Sequence, residues 1–197
     1  MSDLNTWEEY WGRPSLKRNI IETLRRVYFT RVFAREVAFI AGKNARILEA
    51  GCGSGKYLGY LKKKGFECWG MDYSLNAIIK TRQEIEGRRL VIGDIKKLPF
   101  GNKEFELVYN QGVMEHFNKE DFMNILCEMK RIARKIVIIV PSKLSIFRIY
   151  DPIGDDPQKH FFSKRELFSL MSSILADVKI RYMWETGYLS LVGTGEA

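Results

Sequence analysis

Short apolar runs alternate with stretches of helical period along most of this 197-residue chain, and that alternation constrains the fold more than any other feature. Arg46-Ile47-Leu48-Glu49-Ala50 reads as a first strand, broken by Gly51-Cys52-Gly53-Ser54-Gly55. A helix follows from Lys56 to Lys64 and stops at Gly65. Phe66 to Met71 reads as the second strand, and Ser74 can cap a helix running to about Glu86. Arg89 to Gly93, Phe105 to Asn110 and Ile136 to Val140 read as strands, with a helix from Asp121 to Ala133 before the last of them. Ser163 with Glu166 three residues on is a capping-box sequence that opens another helix. Asp177 to Trp184 and Tyr188 to Val192 flank Glu185-Thr186-Gly187, which leaves no room for a crossover helix. That pair must be a hairpin, so one strand near the end runs antiparallel. Upstream, Asn19 to Ala41 has helical spacing and Gly42 ends it. Strands alternating with helices predict an α/β fold, doubly wound around a mainly parallel sheet of seven strands.

Length and charge narrow the possibilities further. A chain of this size can bury a core as one domain: a helical cap or lid over residues 1–45 and a core over 46–197. No segment approaches the roughly 20 apolar residues of a membrane helix. The polar N-terminus is not a secretory leader, and no membrane insertion is expected. Cys52, Cys68 and Cys127 are odd in number and scattered, without a CxxC pair. They form no disulfide framework and no metal site, and a reducing cytoplasm is the simplest setting. The net charge of +8 raises the question of a nucleic-acid partner. Its excess is spread over the first three quarters and reverses from Asp151 on, where five Lys/Arg meet seven Asp/Glu. The sharpest cluster, Lys62-Lys63-Lys64, ends a predicted helix and complements its dipole.

In sheets of this kind ligands bind beyond the carboxyl ends of the strands. The glycine loop there removes Cβ atoms that would hold a ligand off the backbone, and the following helix points free N–H groups at it. A dinucleotide fingerprint would place glycine at position 56, where this chain has Lys56. The spacing Gly51, Gly53, Gly55 suits a ligand that needs close approach but brings no pyrophosphate. Asp72, at the end of the second strand, can accept both hydroxyls of a ribose. Asp94, at the end of the third, can take the amino edge of an adenine, with Ile95 packing against the ring.

With those residues in view, the chain resembles the class I S-adenosylmethionine (SAM)-dependent methyltransferases of the small, insertion-free type, from about Ile47 to Val192. Ile47 to Gly55 is similar to the family's first motif, Gly70 to Ser74 to its second, Gly93 to Phe100 to its third, and Phe105 to Phe117 to its fourth. The family's Rossmann-like sheet also carries an antiparallel final hairpin strand. The resemblance implies SAM as cofactor, S-adenosylhomocysteine as product, and a set of roles. Glu49 and the loop Gly51, Cys52, Gly53, Gly55 would contact the methionine part. Asp72 would take the ribose, and Tyr73 would stack beside the adenine that Asp94 and Ile95 flank. Asn110 and Gln111 would line the cofactor floor. Ala50 departs mildly from the pattern, since many relatives carry Asp or Val there.

Chemistry beyond the cofactor rests on fewer residues. His116, in Met114-Glu115-His116-Phe117, follows the fourth strand and is of the residue type suited to proton transfer near neutral pH, so it is the candidate general base. Its alternative is packing against the next helix. His160, before the last helix, and Tyr150, in the irregular stretch from Ser142 to Phe162, are expected along the acceptor pocket. Trp7, Tyr10 and Trp11 form an aromatic cluster suited to a lid. The fourth-strand run Asn110-Gln111-Gly112-Val113 lacks the Pro-Pro-aromatic signature of amide and adenine amino-group methylation. No Pro-Cys dipeptide supplies a thiol for cytosine chemistry, and no acidic cluster suggests a polyamine. A small-molecule acceptor is the first expectation, with RNA as the rival and a non-catalytic SAM-binding protein as the non-enzymatic alternative.

Overall fold

The computed structural model describes residues 4–12, 31–145, 159–185 and 188–197. Helices are α1 (Leu4–Gly12), α2 (31–41), α3 (Lys56–Lys63), α4 (Leu75–Thr81), α5 (Lys119–Ile132) and α6 (Lys164–Ser172). Strands are β1 (Arg46–Ala50), β2 (Glu67–Asp72), β3 (Leu90–Ile92), β4 (Phe105–Gln111), β5 (Ala133–Pro141), β6 (Ala176–Glu185) and β7 (Tyr188–Glu196). The predicted helix from Asn19 is seen over 31–41; its earlier part, like Tyr150, lies outside the described residues.

The seven strands form one sheet in the order β3-β2-β1-β4-β5-β7-β6. β1 to β5 pair in parallel, and β7 runs antiparallel to both β5 and β6. The sequence predicts this Rossmann-like arrangement, final hairpin included. The order reverses between β1 and β4, and there the carboxyl ends of the parallel strands open a crevice.

Strand alternation sends each residue to one of two cores. On one face Leu48, Val108, Ile136 and Ile138 meet α5 and α6. On the other Ile47, Leu107, Tyr109, Val137 and Ile139 meet α2, α3 and α4. Helix α5 shows why these segments are helical. Phe122, Ile125, Leu126, Met129 and Ile132 recur three or four residues apart and are buried, and the Asn118 side chain accepts from Asp121 N at 2.9 Å to start it.

Two predicted boundaries shift. Helix α4 ends at Thr81 rather than near Glu86, because the amides of Glu84 and Ile85 both turn back onto the Thr81 carbonyl and Ile85 is pulled into the core. The last strands outrun their apolar stretches, since β5 and β7 pair from Lys135–Glu196 to Pro141–Ser190 and the ladder carries polar flanks with it. The capping box at Ser163 and Glu166 forms as read, and Lys62 and Lys63 occupy the last turn of α3.

Candidate active site

A cavity of about 480 Å³ lies over the switch point. That is the size range of cofactor and small-molecule sites. Glu49, Gly51, Cys52 and Gly53 reach it from β1 and its loop, Asp72 and Tyr73 from β2, Asp94 and Ile95 from β3, and Gln111 from β4. Trp7, Tyr10 and Trp11 close it from α1, and His116 and Phe117 stand at the β4 end. Most of the residues singled out in the sequence therefore converge on one space.

Glu49 is 3 % exposed, and its Oε2 has no hydrogen-bond partner. Register explains its setting: Glu49 lies directly beside Tyr109 across the β1–β4 ladder. Burial pushes the Glu49 carboxyl up to about 8. The Tyr109 hydroxyl and the Lys56 cation temper the rise, the former from outside hydrogen-bonding geometry, and Asp72 adds to it. Glu49 is thus a buried acid whose ionisation a cation placed in the cavity would favour.

Asp72 organises the loop it faces. Its Oδ2 accepts from Gly53 N at 2.8 Å and its Oδ1 from Ser74 N at 3.0 Å. Burial raises its pKa, and those backbone donors oppose the rise. Thr81 Oγ1 donates to the Gly53 carbonyl at 2.7 Å, so α4 braces the loop from below. Burial also pushes the Cys52 thiol up, so Cys52 is a neutral wall rather than a nucleophile. Asp94 Oδ1 accepts from Lys96 N at 2.9 Å in a tight turn that turns Ile95 inward, where it is buried.

Close approach makes glycine necessary at Gly53. A Cβ there would lie 2.6 Å from the Trp11 ring. Trp11 belongs to a chain of edge-on rings that crosses the cavity. Trp11 to Tyr10 is 5.2 Å, Tyr10 to Trp7 5.6 Å, and Trp7 to His116 4.9 Å.

Three sequence expectations fail on position. Asn110 is fully buried but points away from the cavity, with Nδ2 3.5 Å from Met129 Sδ on α5. Alternation along β4 puts it on the face opposite Tyr109 and Gln111. His160 does not line the cavity. Its Nε2 lies 2.6 Å from Glu166 Oε1, while Lys159 and Phe161 on either side face inward. The same period of two is responsible, because Phe162 is anchored in a bridge with Ser142. Gly55 also stands outside the cavity and begins α3 instead.

Other lining residues were not among the sequence candidates: Val113 and Glu115, inside the fourth motif, and Pro141, Lys159, Phe161 and Ser190, outside any motif. They come from four separate segments, and only the sheet order brings them together. Among the described residues there is no cluster able to hold a metal ion, and no helix is long and apolar enough to cross a membrane.

Comparison with known proteins agrees with this geometry. Residues 48–140 match the family described as "Methyltransferase domain". A malonyl-[acyl-carrier protein] O-methyltransferase of Hamiltonella defensa is 21% identical over 145 residues, which is 70% of this chain and 55% of that protein. An uncharacterised protein of Methanocaldococcus jannaschii is 30% identical over 109 residues, 54% of this chain and 45% of that one. The chain thus spans about half the length of these curated relatives. Among solved structures, the magnesium protoporphyrin IX methyltransferase of Synechocystis with bound S-adenosylhomocysteine aligns at a TM-score of 0.70 and 16% identity, covering 98% of this chain and 93% of that one. The family match, the motifs at the ends of β1 to β4 and the shared sheet order lead to one assignment: residues 48–140 belong to the methyltransferase-domain family, within a sheet of the Rossmann-like methyltransferase fold.

Proposed function

We propose that the chain transfers a methyl group from SAM to a small-molecule acceptor. The observation that carries this reading is one cavity with two kinds of lining. It brings together the buried acids Glu49 and Asp72, the Asp94–Ile95 turn, and the side chains of Trp7, His116, Phe117 and Phe161.

The residues present fit the cofactor. The unpartnered Oε2 of Glu49 offers a buried acceptor for the α-ammonium of the methionine part. Asp72 keeps acceptor capacity for the ribose hydroxyls beyond its two backbone donors. Tyr73, Asp94 and Ile95 form the adenine slot, and Gln111 supplies the floor that Asn110 does not. The bound cofactor supplies an activated methyl on a sulfonium. The chain's own residues need only hold an acceptor in line with that bond and keep water out, which together can remove ~7–11 kcal/mol of a barrier. His116 takes the acceptor's proton where the acceptor begins protonated, a contribution of ~100- to 10,000-fold. Helix α1 is the lid, and the whole chain acts as one domain.

Charge supports a small acceptor over RNA. The net +8 does not gather at the cavity: Lys56, Lys96 and Lys159 there face Glu49, Asp72, Asp94 and Glu115. Neither the malonyl-[acyl-carrier protein] nor the magnesium protoporphyrin IX named for two relatives is a nucleic acid, and the second is a small molecule. The test is calorimetric titration with SAM and S-adenosylhomocysteine, wild type beside Asp72→Ala. Micromolar binding that is lost in a folded variant is the expected result. A folded wild type that binds neither compound overturns the proposal. Binding of tRNA or rRNA that weakens steeply with salt would restore the RNA reading.

A further inference from the structure

Helix α4 has four amides at its N-terminus that no intrahelical carbonyl can satisfy. Ser74 N donates to Asp72 and Ala77 N to Ser74 Oγ, both from within the local sequence. The remaining two go to a residue almost seventy positions away. Leu75 N donates to Glu8 Oε1 at 2.5 Å and Asn76 N to Glu8 Oε2 at 3.2 Å. The contact is reciprocal, because Asn76 Nδ2 donates to the Glu8 carbonyl at 3.2 Å. One turn further along, Lys80 Nζ donates to the Trp11 carbonyl. Gly12 lies close enough to Asn76 that a Cβ would stand 3.3 Å from Nδ2.

This junction differs from a structural staple in one respect. No residue of α1 is buried, and Leu75 is 48 % exposed. The two amides can exchange Glu8 for water at small cost when α1 lifts away. The helix is therefore fastened to α4 by polar contacts of Glu8 and the Trp11 carbonyl, while the Trp7 and Trp11 side chains line the cavity. Glu8 follows Trp7 directly, so fixing one fixes the other against His116.

We propose that Glu8 is a positioning residue, a reversible latch that caps α4 and thereby holds α1 closed over the cavity, with Trp7 against His116 and Trp11 over Gly53. Release of a bound molecule requires the latch to open. The consequence for the cofactor rests on the reading of the cavity as the SAM site; the latch itself does not.

The experiment has two arms on wild type, Glu8→Gln and Glu8→Ala. The first follows amide hydrogen exchange of the ligand-free protein. In Glu8→Ala, exchange across residues 4–12 should accelerate while β1 stays protected and the Tm moves by no more than about 2 °C. Glu8→Gln, which keeps one acceptor oxygen, should fall between the two, and it gives the same reading should Glu8→Ala fold poorly. The second arm measures S-adenosylhomocysteine by stopped-flow tryptophan fluorescence. Release should quicken about tenfold or more in Glu8→Ala, with the association rate little changed. In a Trp11→Ala background Glu8→Ala should add little, because both act through one helix. Unchanged exchange of α1 in Glu8→Ala overturns the latch. So does an unchanged release rate with α1 loosened. A wild type that binds no S-adenosylhomocysteine, with α1 still loosened by Glu8→Ala, sinks the cofactor reading and leaves the latch standing.

Discussion

Glu49 ties the cavity's chemistry to the stability of the chain. Its carboxyl titrates near 4.5 when the chain is unfolded and about 8 when it is folded. Between those values the folded state holds a proton that the unfolded state has lost, so this group's contribution is complete below pH 4.5 and declines as the pH rises through 8. Glu49→Gln keeps the shape and removes the titration. Its Tm should match wild type at pH 4.5 and exceed it by several degrees at pH 8.5, read by thermal unfolding across pH. The same variant should bind SAM more weakly, since a neutral amide replaces the buried anion that an ammonium calls for. Gly55 makes a second residue-scale case. It stands at φ +69°, and a Cβ there would lie 2.4 Å from Thr81 Cγ2. Gly55→Ala should cost more than the ~1–2 kcal/mol of a left-handed alanine. Adding Thr81→Ser should recover the part of the steric cost owed to Cγ2 and leave the backbone part, as denaturant melts of the two single variants and the double variant would show.

Helix α6 shows how an element far from the chemistry sets one wall of the cavity. Glu166 closes the capping box with Ser163, and its two oxygens also meet His160 at 2.6 Å and Lys143 at 2.9 Å. Ser163→Ala should lower stability by about 1 kcal/mol by urea melting. Elements of this kind were legible in the sequence because their signals are local. Caps at Ser74 and Ser163, the glycine break after β1 and the period of α5 each sit within a few residues. The acids at the ends of β2 and β3 were legible for the same reason, because a strand end marks its own place in such a sheet. Asn110 and His160 were misplaced because an extended segment faces both ways, and which way is decided by a partner distant in sequence: the sheet face for Asn110, the Ser142–Phe162 bridge for His160. Glu8 was missed because no sequence rule pairs a helical carboxylate with the amides of another helix 67 residues later.

At the scale of the whole molecule the cofactor should act as a stabilising ligand. Asp72 and the Gly53 amide hold each other in the folded chain and have no counterpart in the unfolded one. S-adenosylhomocysteine at a hundred times its Kd should therefore add about 2.7 kcal/mol. For a chain of this length that raises the Tm by roughly 5–11 °C, measurable by differential scanning fluorimetry. Asp72→Ala should lose that rise while remaining folded. Because the cavity carries cations and acids in near balance, the affinity should change little between low and moderate salt.

The extended run from Lys159 to Phe162 holds one more lesson. Phe162 is tied on both sides, its amide to the Pro141 carbonyl at 2.9 Å and its carbonyl to Lys143 N at 2.8 Å. The facing of residues 159–161 is counted from that knot. Inserting a single residue between Phe161 and Phe162 would invert the parity, turning His160 toward the cavity and Lys159 and Phe161 toward solvent. A change in length alone, with no substitution, would exchange a cationic and apolar wall for an imidazole. The lining of this cavity can therefore be altered by insertion or deletion at one spot, while the glycine loop and its acids stay as they are.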